Sequence, residues 1–307
     1  MMKKIKQFFH PYMKHYSIFL LFLPVLIWYI LFCYVPMHGI LIAFEDFKIG
    51  KGVWGSEFVG LENFVKLFRS PTFVRSLRNT VVISFIRIIV GFPLPIILAL
   101  MLNEVRNLRF KKIAQTVSYL PHFLSWVVLA GIFTQLFSPS TGIINQLITS
   151  LGGESIYFYG DNNWFVFTTI LTAAWKETGW GTVIYIAAIT SIDTGQYEAA
   201  EIDGASRWQK LLFITLPGIV PVITIQLILT SGNIINAGFD QIFNTYNEAV
   251  YETADIIDTY VYRKGMVDME YSFSTAAGLF KNVVSFAMII ITNMITKRVS
   301  DGENGIW

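Results

Sequence analysis

The chain has 307 residues, of which 54% are hydrophobic and 14% charged, with a formal net charge of +2. Soluble domains carry about 25% charged residues, so the composition excludes an ordinary soluble domain, and so small a net charge gives no reason to expect nucleic acid. The one cysteine, Cys33, excludes an intrachain disulfide, and the scattered His10, His15, His38 and His122 form no Cys/His cluster with metal spacing.

Apolar runs of about 20 residues recur along the chain, the pattern of transmembrane helices. Six are predicted, making an all-α integral membrane protein. The first covers 17–36, with no charge between Lys14 and Glu45. Its exit, Cys33-Tyr34-Val35-Pro36-Met37, lacks a small-x-small cleavage site, so an uncleaved helix is expected rather than a signal peptide. An external loop follows, in which Leu61, Phe64, Val65, Leu67 and Phe68 fit a helix lying on the membrane surface. The second span covers 79–102 and contains Arg87, with Pro93 and Pro95 suited to bending it. The third covers 118–137, the fourth 164–192, the fifth 214–235 and the sixth 276–295. The fourth is expected to be interrupted, because Gly179 and Gly181 stand between aromatic residues around Trp175 and Trp180. The chain then divides into 1–78 (tail, first helix, external loop), a five-helix core 79–296 containing the loop 193–213, and a tail 297–307.

Lysine and arginine placement orients these spans. One side holds Lys3, Lys4, Lys6, Lys14, Arg106, Arg109, Lys111, Lys112, Arg207, Lys210, Lys297 and Arg298. The other side holds fewer, mostly in the first external loop, and its loop at 138–163 holds none. Both termini and the loop 193–213 are therefore expected in the cytoplasm.

That loop is a polar interruption between two apolar spans. Asp193 with Gln196, and Ser206 with Gln209, are capping-box spacings that start two short helices. Gly204 between them suits a left-handed helix end, and Pro217 suits the start of the next span. Ala199-Ala200 is a small pair that permits close approach of another surface.

Glu198-Ala199-Ala200, three residues, Gly204, nine residues, Ile214, one residue, Leu216-Pro217 resembles the E-A-A motif of ABC importer permeases without a gap. The run Phe58-Val59-Gly60-Leu61-Glu62-Asn63-Phe64, Asn79-Thr80 and Ile202-Asp203-Gly204-Ala205-Ser206 are similar to the maltose-type sugar permeases. Gly238-Phe239-Asp240-Gln241-Ile242-Phe243-Asn244 and the closing Gly305-Ile306-Trp307 resemble the branch for complex oligosaccharides and polysaccharides. The resemblance implies a type I ABC importer permease fold in a bacterial cell membrane, crossing it several times. It implies a loop that couples to an ATPase through Glu198, Ala199, Ala200, Asp203, Gly204, Trp208, Leu216 and Pro217. Two copies of an ATP-binding subunit, which bind ATP and Mg, an extracellular lipoprotein that binds the solute, and a second permease chain making a heterodimer are implied as partners. A homodimer stays open on physical grounds, and the chain departs from the maltose prototype in having no large inserted external domain.

This chain itself is expected to bind no cofactor and to hydrolyse no ATP. Gly50-Lys51-Gly52 lacks the spacing and hydroxyl residue of a Walker A loop. Charges inside the spans, Arg87, Lys176, Glu177 and Lys281, either fix packing or line a pathway; Glu177 is expected to pair with Arg87 or Lys281, and Lys281 alternatively snorkels. Aromatic faces beside amides suit sugar rings, which points to Trp175, Glu177, Trp180, Gln226, Asn233 and Asn236 along a substrate path. A peptide or phosphate ester is the alternative solute. An intramembrane enzyme would need a polar catalytic set, and His122 with Ser125 is the sole near-candidate, unsupported by a glycine-framed nucleophile or paired acids.

Overall fold

A computed structural model describes residues 16–233 and 235–299; Lys3, Lys4, Lys6, Lys14 and the closing Gly305-Ile306-Trp307 lie outside the described residues. The first span begins as α1 (Tyr16–Tyr29) and continues through a π-helical turn (Ile30–Tyr34) and a 3-10 stretch (Val35–Phe44). It is apolar all round, as a lipid-facing helix is, and none of its apolar stretch is buried within the chain.

Two short strands, β1 (Glu45–Asp46) and β2 (Glu57–Phe58), pair antiparallel beyond it. The surface helix α2 (Glu62–Arg69) follows. It docks on the protein through buried Leu67 and Asn63, while Leu61, Val65 and Phe68 remain outward. Asn63 is the reason: its side-chain amide donates to the carbonyls of Ala43 and Glu45 (3.0 and 2.9 Å). Those carbonyls lie where the first span ends and its own ladder runs out of donors.

The second span combines α3 (Pro71–Gly91) and α4 (Pro93–Glu104), 34 residues in all. Ser70 caps it and Pro71 occupies its first turn, where a missing N–H costs little. Pro93 starts α4 in the same way.

The third span is not the single helix predicted. It is α5 (Leu108–Tyr119), a 3-10 turn (Leu120–Phe123) and α6 (Trp126–Leu136), with the two limbs bent by 102°. Asn107 caps α5, and the Ser125 side chain accepts from the Val128 amide to start α6. The short α7 (Ile143–Ser150) lies in the loop beyond.

α8 (Asn162–Thr190) is the fourth span and runs unbroken for 29 residues. Its glycines do not interrupt it. A Cβ at Gly179 would overlap the Ser118 backbone and one at Gly181 would crowd Pro95, so these positions let α5 and α4 approach closely.

After the loop helices α9 (Thr194–Ile202) and α10 (Arg207–Lys210), a π-helical turn (Leu211–Thr215) runs directly into α11 (Leu216–Gly232), the fifth span. The outer face is then built from α12 (Phe239–Thr245), α13 (Tyr251–Ala254) and α14 (Ile257–Tyr262). The final span is α15 (Tyr271–Val299).

Among the described residues, four helical stretches are long and apolar enough to cross a membrane, or five when the bent third span is counted as one. α8 completes the six. At about 1.5 Å per residue its 29 residues exceed a hydrocarbon core of about 30 Å. Its threonines, Lys176 and Glu177 lower its apolarity, and several of these polar groups are buried against neighbouring helices.

Three apolar clusters hold the helices together. Ala99, Tyr185, Ile189 and Ile219 join α4, α8 and α11 near the loop. Ile83, Leu129, Phe133, Phe165 and Ile242 join α3, α6, α8 and α12. Leu67, Phe73, Tyr260 and Ala277 tie α2, α3, α14 and α15. Asn79 and Thr80 pin the outer segment to α3: Asn79 donates to the Glu252 and Asp255 carbonyls, and Thr80 accepts from the Ile257 amide.

Candidate functional site

α8 crosses the bundle centre, and its stretch from Ile170 to Ala187, about five turns, builds one wall of a cavity of about 830 Å³. Glu177, Trp180, Gln226, Asn233 and Asn236 all line this cavity, with Arg87 and Trp126. Trp175 does not. Its ring lies edge-on to Phe133 (5.6 Å) and is half exposed on another face of α8.

The charges pair differently from the expectation. Glu177 meets neither Arg87 nor Lys281 in an ion pair. Its carboxylate lies 2.8 Å from His122 Nδ1 and 3.5 Å from Lys176 Nζ. Adjacent positions on a helix point apart, but the long lysine stem bends back far enough to reach. Lys176 Nζ also donates to the His122 carbonyl at 2.7 Å. That carbonyl belongs to the broken third span, so the buried ammonium supplies a donor at the break. The His122 ring stacks on Trp180 with centroids 4.7 Å apart. His122 and Ser125 therefore make no catalytic pair: His122 is held by Glu177, and Ser125 caps α6.

Arg87 binds two neutral acceptors, the Ala237 carbonyl at 2.6 Å and the Gln241 side-chain oxygen. Gln241 is fully buried and donates in turn to the Thr169 carbonyl and Thr172 hydroxyl of α8 (2.9 and 2.8 Å). This chain of bonds fixes the segment carrying Asn236 and Gly238 against α3 and α8. Lys281 does not snorkel. It lies 2.6 Å from both carboxylate oxygens of Asp258. The roles of Gln241 and Asp258 had no local sequence signal, since each depends on a partner far along the chain.

The loop 193–213 is built from local signals. Asp193 accepts from the Gly195 amide at 3.0 Å to start α9, although the expected return bond from the Gln196 side chain does not form. α9 ends in a Schellman turn: Gly204 donates to the Glu201 carbonyl and Ala205 to the Ala200 carbonyl (3.1 and 2.8 Å). Gly204 takes φ of 78°, where a Cβ is disfavoured. Ser206 and Gln209 form the complete capping box. The second loop helix does not stop short of the fifth span; it merges into it through the π-helical turn.

Two bonds hold the loop's halves together. Lys210 Nζ reaches Glu201 at 2.8 Å, and its hydrogen bond and charge hold the Glu201 carboxyl below the usual carboxylate range. The Tyr197 hydroxyl meets Thr215 at 2.9 Å. Glu198, Ala199, Asp203 and Gly204 are exposed, Ala200 is partly so, and the apolar Ile202 (87%) and Trp208 (67%) stand in the open. Leu216 and Pro217 open α11.

A six-span bundle with a mainly apolar central cavity that carries a few polar side chains, and an exposed two-helix loop between spans four and five, defines a membrane permease core. The chain belongs to the family of binding-protein-dependent transport system inner membrane components, whose model matches residues 91–301. It is a multi-pass protein of the cytoplasmic membrane. It is 44% identical over 290 residues to the polygalacturonan/rhamnogalacturonan transport system permease protein YteP of Bacillus subtilis (strain 168), covering 94% of this chain and 90% of that protein. Protein LplB of the same organism is 45% identical over 281 residues, covering 92% of this chain and 88% of that one. The structure superposes on a chain of a bacterial alginate ABC transporter in complex with alginate pentasaccharide-bound periplasmic protein, with TM-score 0.89 and 38% identity, covering 97% of this chain and 99% of that chain. The fold is the type I importer permease fold.

Proposed function

We propose that this chain is a permease subunit of an ATP-driven importer that moves an oligosaccharide through its central cavity, powered through the loop 193–213. The observation that carries this reading is a connection within the chain. α8 and α11 flank the loop, and the same two helices carry Glu177, Trp180, Gln226 and Thr230 on the cavity wall. A force on the loop therefore reaches one wall through the unbroken helical path from Arg207 into α11, and the other across the short link 191–193 into α8.

Glu198, Ala199, Ala200, Asp203, Gly204 and Trp208 form the face an ATP-binding subunit grips, and Leu216 and Pro217 pass its movement into the span. Exposed Ile202 and Trp208 suit a contact buried in a partner, since large apolar side chains in water favour such burial. ATP and Mg belong to that partner, of which two copies serve the importer. A second permease chain faces the cavity's open side, and an extracellular lipoprotein delivers the solute. Membrane lipid surrounds the rest. The division into a 1–78 leading region, a 79–296 core and a 297–307 tail belongs to the same reading. The oligosaccharide assignment is supported by the relatives' substrates and by a cavity that combines Trp180 with the amides of Gln226, Asn233 and Asn236.

Gly204→Pro tests the coupling. Proline fixes φ near −65° and removes the N–H that Gly204 gives to Glu201. The variant should still insert in the membrane but lose uptake and solute-stimulated ATPase activity. Normal uptake by inserted Gly204→Pro permease would overturn the assignment.

A further inference from the structure

A second cavity of about 770 Å³ adjoins the first, and the two have Trp126, Asn236 and Gly238 in common on their walls. Those three residues form a neck between one chamber and the next. The second chamber is lined by chemistry that suits a hydroxyl-rich ligand. Tyr262 lies on its wall, with its ring held edge-on by Phe243 (4.8 Å) and against Phe239 (6.0 Å). The Lys281–Asp258 pair lies on the same wall system, its charges cancelling. An ammonium has three donors and a carboxylate about four acceptor sites. The pair thus retains capacity for hydroxyl groups and its own two charges cancel, while Asp240 adds a negative charge to the wall. Asp240 and the hydroxyls of Ser274 and Thr275 complete the polar lining.

We propose that this second cavity is a further saccharide subsite, with Tyr262 as its stacking platform, so that the substrate is a chain of sugar rings threaded through the neck and held in both chambers. The proposal rests on the oligosaccharide reading above. Each chamber falls in the volume range of about 300–1,000 Å³ that holds a single small ligand, so two in series call for a linear ligand longer than either. The Lys281–Asp258 pair also ties α14 to α15, but that structural task makes no use of an aromatic ring at 262.

The test uses the complete importer, reconstituted in vesicles with its partner chains and saturating loaded binding protein. Uptake rates are measured for the disaccharides and pentasaccharides of a neutral galactan as well as of galacturonan and alginate. Tyr262→Ala is expected to slow pentasaccharide uptake about tenfold, equivalent to about 1.4 kcal/mol, with disaccharide uptake within about twofold of wild type. Tyr262→Phe, which keeps the ring, restores the pentasaccharide rate. Equal loss for both lengths would make Tyr262 a packing residue and overturn the subsite, and no loss for either would do the same. Wild-type uptake of disaccharides alone would end the proposal while leaving the sugar reading intact. Wild-type uptake of no saccharide would end both.

Discussion

Asp255 is fully buried on the outer side, and Arg263 meets it with two bonds of 2.8 and 2.6 Å. Ser76 and Thr259 donate to the same carboxylate. Burial alone would lower the Arg263 pKa, but the bonds and charges of Asp255 and Tyr246 outweigh it and the net direction is upward. The guanidinium also lies 4.6 Å from the Tyr251 ring. Arg263→Met should therefore cost about 3–5 kcal/mol, because it leaves a buried carboxylate without its counter-ion. A fall in the melting temperature of the detergent-solubilised protein measures this, and replacing both Arg263 and Asp255 with apolar residues should recover much of the loss. At this scale the sequence makes charged residues conspicuous but hides their partners. Glu177 reads as a buried acid in need of a base, yet its neighbours His122 and Lys176 are decided by how a bent span meets α8. Trp175 and Trp180 read alike in sequence; helix rotation puts one at the cavity and the other away from it.

The loop helices are the elements most legible in the sequence, because their signals are local. Ser206 and Gln209 are three residues apart and bond each other's backbone, and Gly204 marks the turn. Ser206→Ala should destabilise α10 by about 1 kcal/mol, the usual value of an N-cap. Amide hydrogen exchange should show the loss as faster exchange at Gln209 and Lys210, with α8 unchanged; protection unchanged at these amides would mean that the cap does not hold the loop. The bend in the third span was not legible. Its apolar run is long enough for one helix, and the break at Leu124 and Ser125 depends on Lys176, 54 residues from His122, donating to the freed carbonyl. The glycines of α8 mislead for a related reason: they serve close contact with α4 and α5 rather than a kink.

In the whole molecule, the loop and the cavity are carried by the same two helices, and the cavity runs along α8 from Ile170 to Ala187. The apolar cluster of Ala99, Tyr185, Ile189 and Ile219 packs those helices together just above the loop, the contact through which the proposed coupling has to pass. The first span, apolar and unburied within the chain, leaves a broad face for lipid. The most direct test places one reporter on the loop. In a Cys33→Ser background, which removes the only native thiol, Ala199→Cys is labelled with a short linker that has one thiol-reactive and one photoactivatable end, in inside-out vesicles containing the assembled importer. The account predicts a cross-link to the ATP-binding chain whose yield changes on adding ATP. No cross-link in an intact, transporting complex, or modification of residue 199 from the external face alone, would contradict it.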